Sequence, residues 1–325
     1  MIDVIVVGAG WSGLTAATRL AARGHSVVVV DKSRGPGGRS ATRRADNFSF
    51  DHGAQYLTAR SEAFRRQVRA WAESGLLAPW RPGIVTFGDR PADAGRPPDE
   101  RWVGVPGMNA VLHQLARGLD CRWQWQTVGA ARRGPGWRVE GPDGEALEGR
   151  ALLITAPPRQ AGGLLGPDHA LHDRLVAVDM QPCWAVMLGY ASPREPGFDA
   201  AFVNRGPLAW IAHNGGKPGR GNVDAWVVHA ETGWSNDHLE DPAEAVVEAA
   251  IAALAELAPA LAQSVTHSAA HRWRFAQPRG GGQGSSSLSR DSERLVLAGD
   301  WCAGGRIEGA WISGVAAARR LDAML

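Results

Sequence analysis

The stretch DVIVVGAGWSGLTAATRLAARGHSVVVVDKS, residues 3–33, decides the fold. Residues 4–7 and 27–30 are apolar runs of the kind a strand buried on both faces requires. Between them Leu14, Ala17 and Leu20 recur at helical spacing, and Gly24 supplies a helix stop. The unit is strand, helix, strand. Gly8, Gly10 and Gly13 fall at the GxGxxG positions, where missing side chains permit a tight turn, close approach of backbone to a pyrophosphate, and helix–strand packing. The N–H groups that open the helix have no intrahelical partner and sit at its positive dipole end, so they attract an anion. Asp31 ends the second strand, where a carboxylate can accept hydrogen bonds from ribose hydroxyls. A dinucleotide-binding unit is therefore expected. The fingerprint alone does not choose between NAD and FAD.

Working outward, DKSRGPGGRSATRR places Gly37, Gly38 and Arg39 just beyond that acid, and FDHGAQY follows. A plain NAD domain would instead move into another helix. Arg39 offers a planar donor fork suited to phosphate. At the other end of the chain, RLVLAGDWCAGGRIEGAWISG, residues 294–314, sets a short apolar run, a lone Asp300 and a glycine turn before a helix. Asp300 reads as a ligand contact, because Gly304 and Gly305 intervene before the helix that it would otherwise cap. Cys302 reads as a small buried side chain with nothing to activate it, so any flavin is expected to be held non-covalently.

The phrases DKSRGPGGR, GAQYLTAR, WIAHNGGKPGR, HRWRFAQP and LAGDWCAGGRIEGAWISG, in that order, resemble the bacterial renalase-like FAD-dependent oxidoreductases of the flavin amine oxidase superfamily, over nearly the whole chain. The resemblance implies an α/β fold. Its discontinuous Rossmann-like FAD-binding domain would comprise 1–60, 102–156 and 291–325. A second, substrate domain with a mostly antiparallel sheet and helices would comprise 61–101 and 157–290. It further implies that Ser12, Asp31, Lys32, Arg39, Gln55, Tyr56, Val128, Asp300 and Ile307 contact FAD. The implied reaction is hydride transfer from isomeric dihydronicotinamides to FAD and then to O2, giving NAD(P)+ and hydrogen peroxide.

The composition fits a folded enzyme: 325 residues with 44% hydrophobic can bury a large core. A balance of 35 basic against 33 acidic residues gives no pull toward nucleic acid or a membrane surface, so the partner is expected to be a small molecule. Three scattered cysteines without a CxxC pair suit a reducing compartment and argue against a structural metal. With no basic leader before the first apolar run, a cytoplasmic protein is expected.

Between the two ends, residues 58–77 read as a helix with Phe64, Val68 and Trp71 on one face, and 88–101 as a Pro-rich loop with the makings of a lid. Trp-rich alternating stretches around 182–191, 207–214 and 224–231 read as antiparallel strands. Residues 241–261 read as an amphipathic helix, with Asp241 as N-cap, Pro242 in the first turn, and Val247, Ile251 and Leu254 facing a core. Residues 278–290 read as a flexible connection.

A substrate slot is expected from Trp210, Trp234 and Trp273 as walls, with Asn214, His213, His229 and Gln55 as donors and Arg272 for a phosphate. Each also has an ordinary packing role open to it. The other readings are an amine oxidase or desaturase acting on a small metabolite, a flavin-bound sensor without turnover, and a nicotinamide-only dehydrogenase. Many superfamily amine oxidases place a lysine near the flavin. The chain has two lysines, Lys32 on the adenosine side and Lys217 in a glycine loop, which weakens the amine oxidase reading.

Overall fold

The computed structural model describes residues 1–89, 100–221, 223–281 and 284–325. Two sheets, each with helices against it, enclose one long cleft. The first sheet carries five parallel strands in the order Leu295–Leu297, Ala146–Ile154, Ile2–Val7, Val27–Val30 and Asp120–Arg122. Leu288–Arg290 pairs antiparallel at one edge, and the hairpin Gly129–Arg133 and Gly136–Glu140 extends the long strand. The strand period of two splits the apolar runs between faces. Val4, Val6, Val29, Leu153 and Val296 bury against the helix Trp11–Ala21 and the last helix, Ile307–Asp322. Ile5, Val28, Leu152 and Leu297 bury on the opposite face with Trp137 and Trp301. Coverage of both faces is what a parallel sheet needs, and the sequence supplies it with unbroken Val and Leu runs.

The second sheet runs Val265–Pro278, Met180–Tyr190, Asp224–Ala230, Leu208–His213, Ala200–Val203 and Ile84–Phe87, antiparallel except for the last pair. Its outer face packs Trp184, Leu188, Ile211 and Trp226 on Val246, Ala250 and Leu254 of the helix Ala243–Leu257. That helix starts one step later than expected. Pro242 occupies the cap position with extended backbone, and Asp241 instead pairs with His238 at 2.8 Å. A proline at the cap has no side-chain acceptor, so the helix opens without the capping hydrogen bond that Asp241 would have supplied.

The stretch 61–101 divides between the layers. The helix Glu62–Glu73, capped by Ser61, lays Phe64, Val68 and Trp71 into the first core, whereas Ile84–Phe87 joins the second sheet. Most of the expected lid loop, residues 90–99, lies outside the described residues, as do 282 and 283 in the connection back to the first sheet. Among the described residues no helix is long and apolar enough to cross a membrane.

Candidate functional site

The cleft between the sheets has a volume of about 1700 Å³. That exceeds the usual few hundred to about 1000 Å³ of a single-ligand pocket and leaves room for a dinucleotide together with a second molecule. The Gly8–Gly10 turn and the N-terminus of the first helix form one end of its floor. Gly13 makes the turn possible: a Cβ there would lie 1.9 Å from the Gly8 carbonyl oxygen, so the helix reaches the strand only because that atom is missing. At Gly10 a Cβ would meet no atom within 4 Å and would project into the cleft, the space a pyrophosphate needs. Asp31 stands beside this turn. Its carboxylate accepts from the backbone N–H of Ala9 at 2.7 Å and of Ser33 at 2.8 Å, which fixes the acid at the strand tip.

From the opposite side, the chain's last segment brings Asp300, Gly305, Arg306 and Ile307 to the same cleft. Arg39 grips Asp300 with both terminal nitrogens, at 2.9 and 2.5 Å, and donates a further bond to the Ala276 carbonyl. Asp300 is buried, so this fork pairs a carboxylate that would be costly to leave alone. Neither the first helix nor the last has a side-chain cap at its N-terminus. Two helices thus present unpaired N–H groups and positive dipole ends to one cavity. An FAD pyrophosphate and ribityl chain fit that donor set, with Gly8, Gly10, Gly38, Arg39 and the opening of the last helix to hold them. Lys32, Ser12 and Tyr56 also line the cleft, and the Ser12 hydroxyl already donates to Ala310 O at 2.7 Å.

Several expected contacts stand elsewhere. Val128 is 60% exposed, and its neighbours Trp125, Gln126 and Thr127 line the cleft in its place; strand pairing of its N–H with Glu140 O turns it away. Gln55 sits behind the wall, bonded to the carbonyls of Asp51 and Gly53 and to Lys217 Nζ. Among the substrate candidates, Trp210, His229, Arg272 and Trp273 line the cleft. Asn214, His213 and Trp234 do not. Asn214 is fully buried, donating to Ser49 O and accepting from Asp51 N–H; His213 stacks on Trp226 and contacts Asp224 at 3.0 Å; Trp234 stacks on His238. Arg272 is also occupied, sharing Glu240 with Arg274.

One end of the cleft is aromatic. Tyr56, Trp80, Trp210 and Phe202 contact one another with ring centroids 4.8 to 6.4 Å apart, and Ile307 packs on the same cluster. Nearby, Trp273 donates to His52 O at 2.9 Å and lies against the rings of His52 and His271. Burial pulls the His52 imidazole down to about 4, helped by the charge of His271. Burial also holds His229 near 4 against the opposing bond to His52 O, and lowers His271. This wall is neutral at physiological pH.

Behind it lies a polar network that the sequence did not announce. Asp51 accepts from Arg220 Nε and Nη2 at 3.0 and 2.6 Å, from Thr42 at 2.7 Å and from Met108 N–H at 3.0 Å, with Lys217 Nζ at 3.5 Å. The side chains of Asp51, Lys217 and Arg220 are 0%, 0% and 1% exposed. Burial alone would raise the Asp51 carboxyl, but Lys217 and Arg220 outweigh it and hold it below its ordinary value. Burial, with the Arg220 charge, draws Lys217 down to about 8 despite Asp51. Lys217 therefore braces Gln55, whose amide nitrogen reaches His229 Nε2 at 3.5 Å, and is not itself in the cleft lining.

Comparison with known proteins agrees with this geometry. Residues 6–71 match the model of an NAD(P)-binding Rossmann-like domain, and residues 91–322 match that of the flavin containing amine oxidoreductases. In sequence, the chain is 27% identical over 210 residues to the tRNA 5-methylaminomethyl-2-thiouridine biosynthesis bifunctional protein MnmC of Cupriavidus necator, covering 51% of this chain and 32% of that protein. It is 43% identical over 67 residues to the zeta-carotene-forming phytoene desaturase of Myxococcus xanthus, covering 21% of this chain and 13% of that one. The chain thus spans a third or less of these relatives. In structure, a proposed protoporphyrinogen oxidase from Exiguobacterium sp. 255-15 superposes with a TM-score of 0.79 at 14% identity, covering 100% of this chain and 99% of that one. Cyclohexylamine oxidase from Brevibacterium oxydans IH-35A gives 0.76 at 15% identity, covering 98% of each. These superpositions show a shared fold. With a family match over most of its length and a cleft whose donors suit a flavin dinucleotide, the chain belongs to the flavin containing amine oxidoreductases.

Proposed function

We propose that the protein is a renalase-like oxidase. Its substrates would be 2- or 6-dihydro-NAD(P), oxidised to NAD(P)+ by hydride transfer to FAD, with O2 as the final acceptor and hydrogen peroxide as the product. The charge of the cleft carries this reading. Lys32, Arg39, Arg60 and Arg101 line it together with Arg272, Arg274 and Arg306, against the carboxylates of Asp31 and Asp300 alone among the described residues. Both carboxylates are already engaged, one by backbone N–H groups and one by Arg39. The described lining therefore offers no uncommitted carboxylate to an ammonium substrate, while the cationic surplus suits a second phosphate-bearing molecule beside the cofactor.

When bound, FAD supplies the two-electron acceptor. The residues of the chain need only orient and desolvate. Oxidation of a dihydronicotinamide releases a hydride and leaves an aromatic cation, so no side chain has to remove a proton; peroxide formation takes up one proton from water. Tyr56, Trp210 and Phe202, whose rings tilt 58° and 60° to one another, form an aromatic wall that can pack on a substrate ring and exclude water, which converts binding into orientation. The neutral imidazoles of His52, His229 and His271 add hydrogen-bonding capacity without charge.

Anaerobic mixing of the FAD-loaded protein with each dihydro isomer, and with a primary amine for comparison, tests the reading. Flavin bleaching by the isomers, followed by stoichiometric peroxide on admitting air, is expected. Bleaching by the amine alone would turn the assignment to an amine oxidase acting on a small metabolite, the reading favoured by the likeness to cyclohexylamine oxidase.

A further inference from the structure

Most cations of the cleft have identifiable work. Arg39 holds Asp300, Arg272 and Arg274 share Glu240, and Lys32 and Arg306 are exposed at the cleft's edge. Arg101 is different. Its guanidinium lies over the Tyr56 ring, 5.3 Å from the centroid, at the aromatic end of the cleft. Among the described residues no carboxylate pairs with it, and its Nε is sealed from water without a hydrogen-bond acceptor. Trp210, which also packs on Tyr56, has a second buried donor without a partner, Nε1. Both of these donors are sealed within the wall, so what Arg101 can offer a molecule in the cleft is the outer edge of its guanidinium.

The backbone that carries Arg101 is rigid. The strand Arg101–Gly104 pairs with Leu77–Trp80, placing Arg101 opposite Trp80, and Trp102 exchanges two backbone hydrogen bonds with Leu57, the neighbour of Tyr56. Ring and guanidinium are thereby fixed to each other by main chain on both sides. A guanidinium stacked on an aromatic face keeps its outer edge free for the two oxygens of a carboxylate or phosphate.

We infer that Arg101 is the receptor for an oxyanion on the substrate, so that the molecule entering the aromatic end is a flat ring bearing a carboxylate or phosphate. This deepens the reading above, resting on it only for the flat ring. It also gives the cationic surplus a specific address.

The test is a titration of the FAD-loaded protein with benzoate, phenyl phosphate and benzylamine, following perturbation of flavin absorbance, for the wild type and for Arg101→Gln and Arg101→Lys. One of the two anions is expected to bind better than benzylamine, and which one it is tells carboxylate from phosphate. Its affinity should fall roughly ten- to a hundredfold in Arg101→Gln, the range for losing a charge-assisted hydrogen bond, and by less in Arg101→Lys. Should Arg101→Gln fail to retain FAD, Arg101→Lys alone decides: an affinity at least threefold below wild type supports the inference, and an unchanged one overturns it. Anion affinity within twofold of wild type in Arg101→Gln, or benzylamine binding as tightly as the anions, overturns it as well. Anion binding that depends on Arg101 in a protein whose flavin no dihydro isomer reduces would refute the proposed reaction while leaving this site standing. Reduction by the isomers together with anion binding indifferent to Arg101 would do the reverse.

Discussion

Replacing Asp51 by Asn should be among the most damaging single changes available in this protein, and the structure says by how much. Asp51 is the one carboxylate facing two buried cations, Arg220 with two nitrogens at 3.0 and 2.6 Å and Lys217 at 3.5 Å. Asparagine keeps the volume and its Oδ1 can still accept from Thr42 and Met108 N–H, but its amide nitrogen then faces Arg220, so the charge and both guanidinium hydrogen bonds are lost together. Lys217 can escape by releasing its proton, since burial already holds it at about 8. Arg220 cannot, because a guanidinium does not deprotonate in a protein. One stranded buried charge corresponds to about 3–5 kcal/mol, a large part of the ~5–15 kcal/mol that stabilises a typical domain. Lys217→Met removes the surplus cation instead and leaves a neutral Asp51–Arg220 pair, so it should cost roughly 1 kcal/mol or less, although the two residues lie in the same cluster. Urea unfolding at pH 7.5, with FAD in equal excess for all variants so that ligand linkage cancels, measures both. A loss below about 1 kcal/mol for Asp51→Asn, or a larger loss for Lys217→Met than for Asp51→Asn, would refute the charge argument.

Acid should weaken the fold through the cleft wall. His52 and His229 stay neutral in the folded protein down to about 4 but take up a proton near 6.5 when unfolded, so the stability present above pH 6.5 is lost as the pH falls toward 4. The loss approaches roughly 3 kcal/mol per residue at the lower limit, and His229→Asn should flatten the urea midpoint between pH 6.5 and 4.5; an unchanged slope would count against it. Gly13→Ala must push the Gly8 turn away from the helix, and the purified variant should retain less than a tenth of the wild-type FAD by absorbance. The Cys302 thiol is buried and pushed up to about 12 by burial, so iodoacetamide at pH 8 should leave it unmodified and all FAD should stay in the supernatant after acid precipitation. Flavin found in the pellet would mean a covalent link.

How much of this could be read from the chain depended on sequence distance. The first strand, helix and second strand are a local pattern, and every expected part of them stands where the spacing puts it. The glycine surroundings of Asp300 pointed to a place in a ligand cleft, and it does line the cleft, but its partner Arg39 lies 261 positions away and no local signal joins them. Asn214, expected as a donor in the substrate slot, is placed elsewhere for the same reason. Its amide, with Lys217 and Arg220 from the same glycine loop, is spent on Asp51 and the backbone beside it. His52 and His271 were missed, although alternation along the strand Val265–Pro278 sets His271 and Trp273 on one face, and the Trp273 reading carried its neighbour with it. Val128 shows the remaining limit, since a contact placed one residue along a strand approach changes direction altogether.

The hydrogen bond from Ser12 to Ala310 spans 298 positions, and a Cβ at Gly314 would lie 2.4 Å from the Ser12 carbonyl oxygen. The first and last helices therefore lock directly, with the cofactor cradle between their N-termini. Synthesis meets this geometry as a timetable. The Rossmann unit holds half of a binding site and its counterpart stands nearly 300 positions further along the chain, so the two halves meet only after everything between them has been made. A chain stopped anywhere before residue 307 carries the fingerprint of a dinucleotide-binding protein without Asp300's approach or the second helix end fully in place. Cofactor loading is thus a report that the helix Ile307–Asp322 has been made and docked, and a product truncated before it would stand out in a cell extract as the fraction that is colourless.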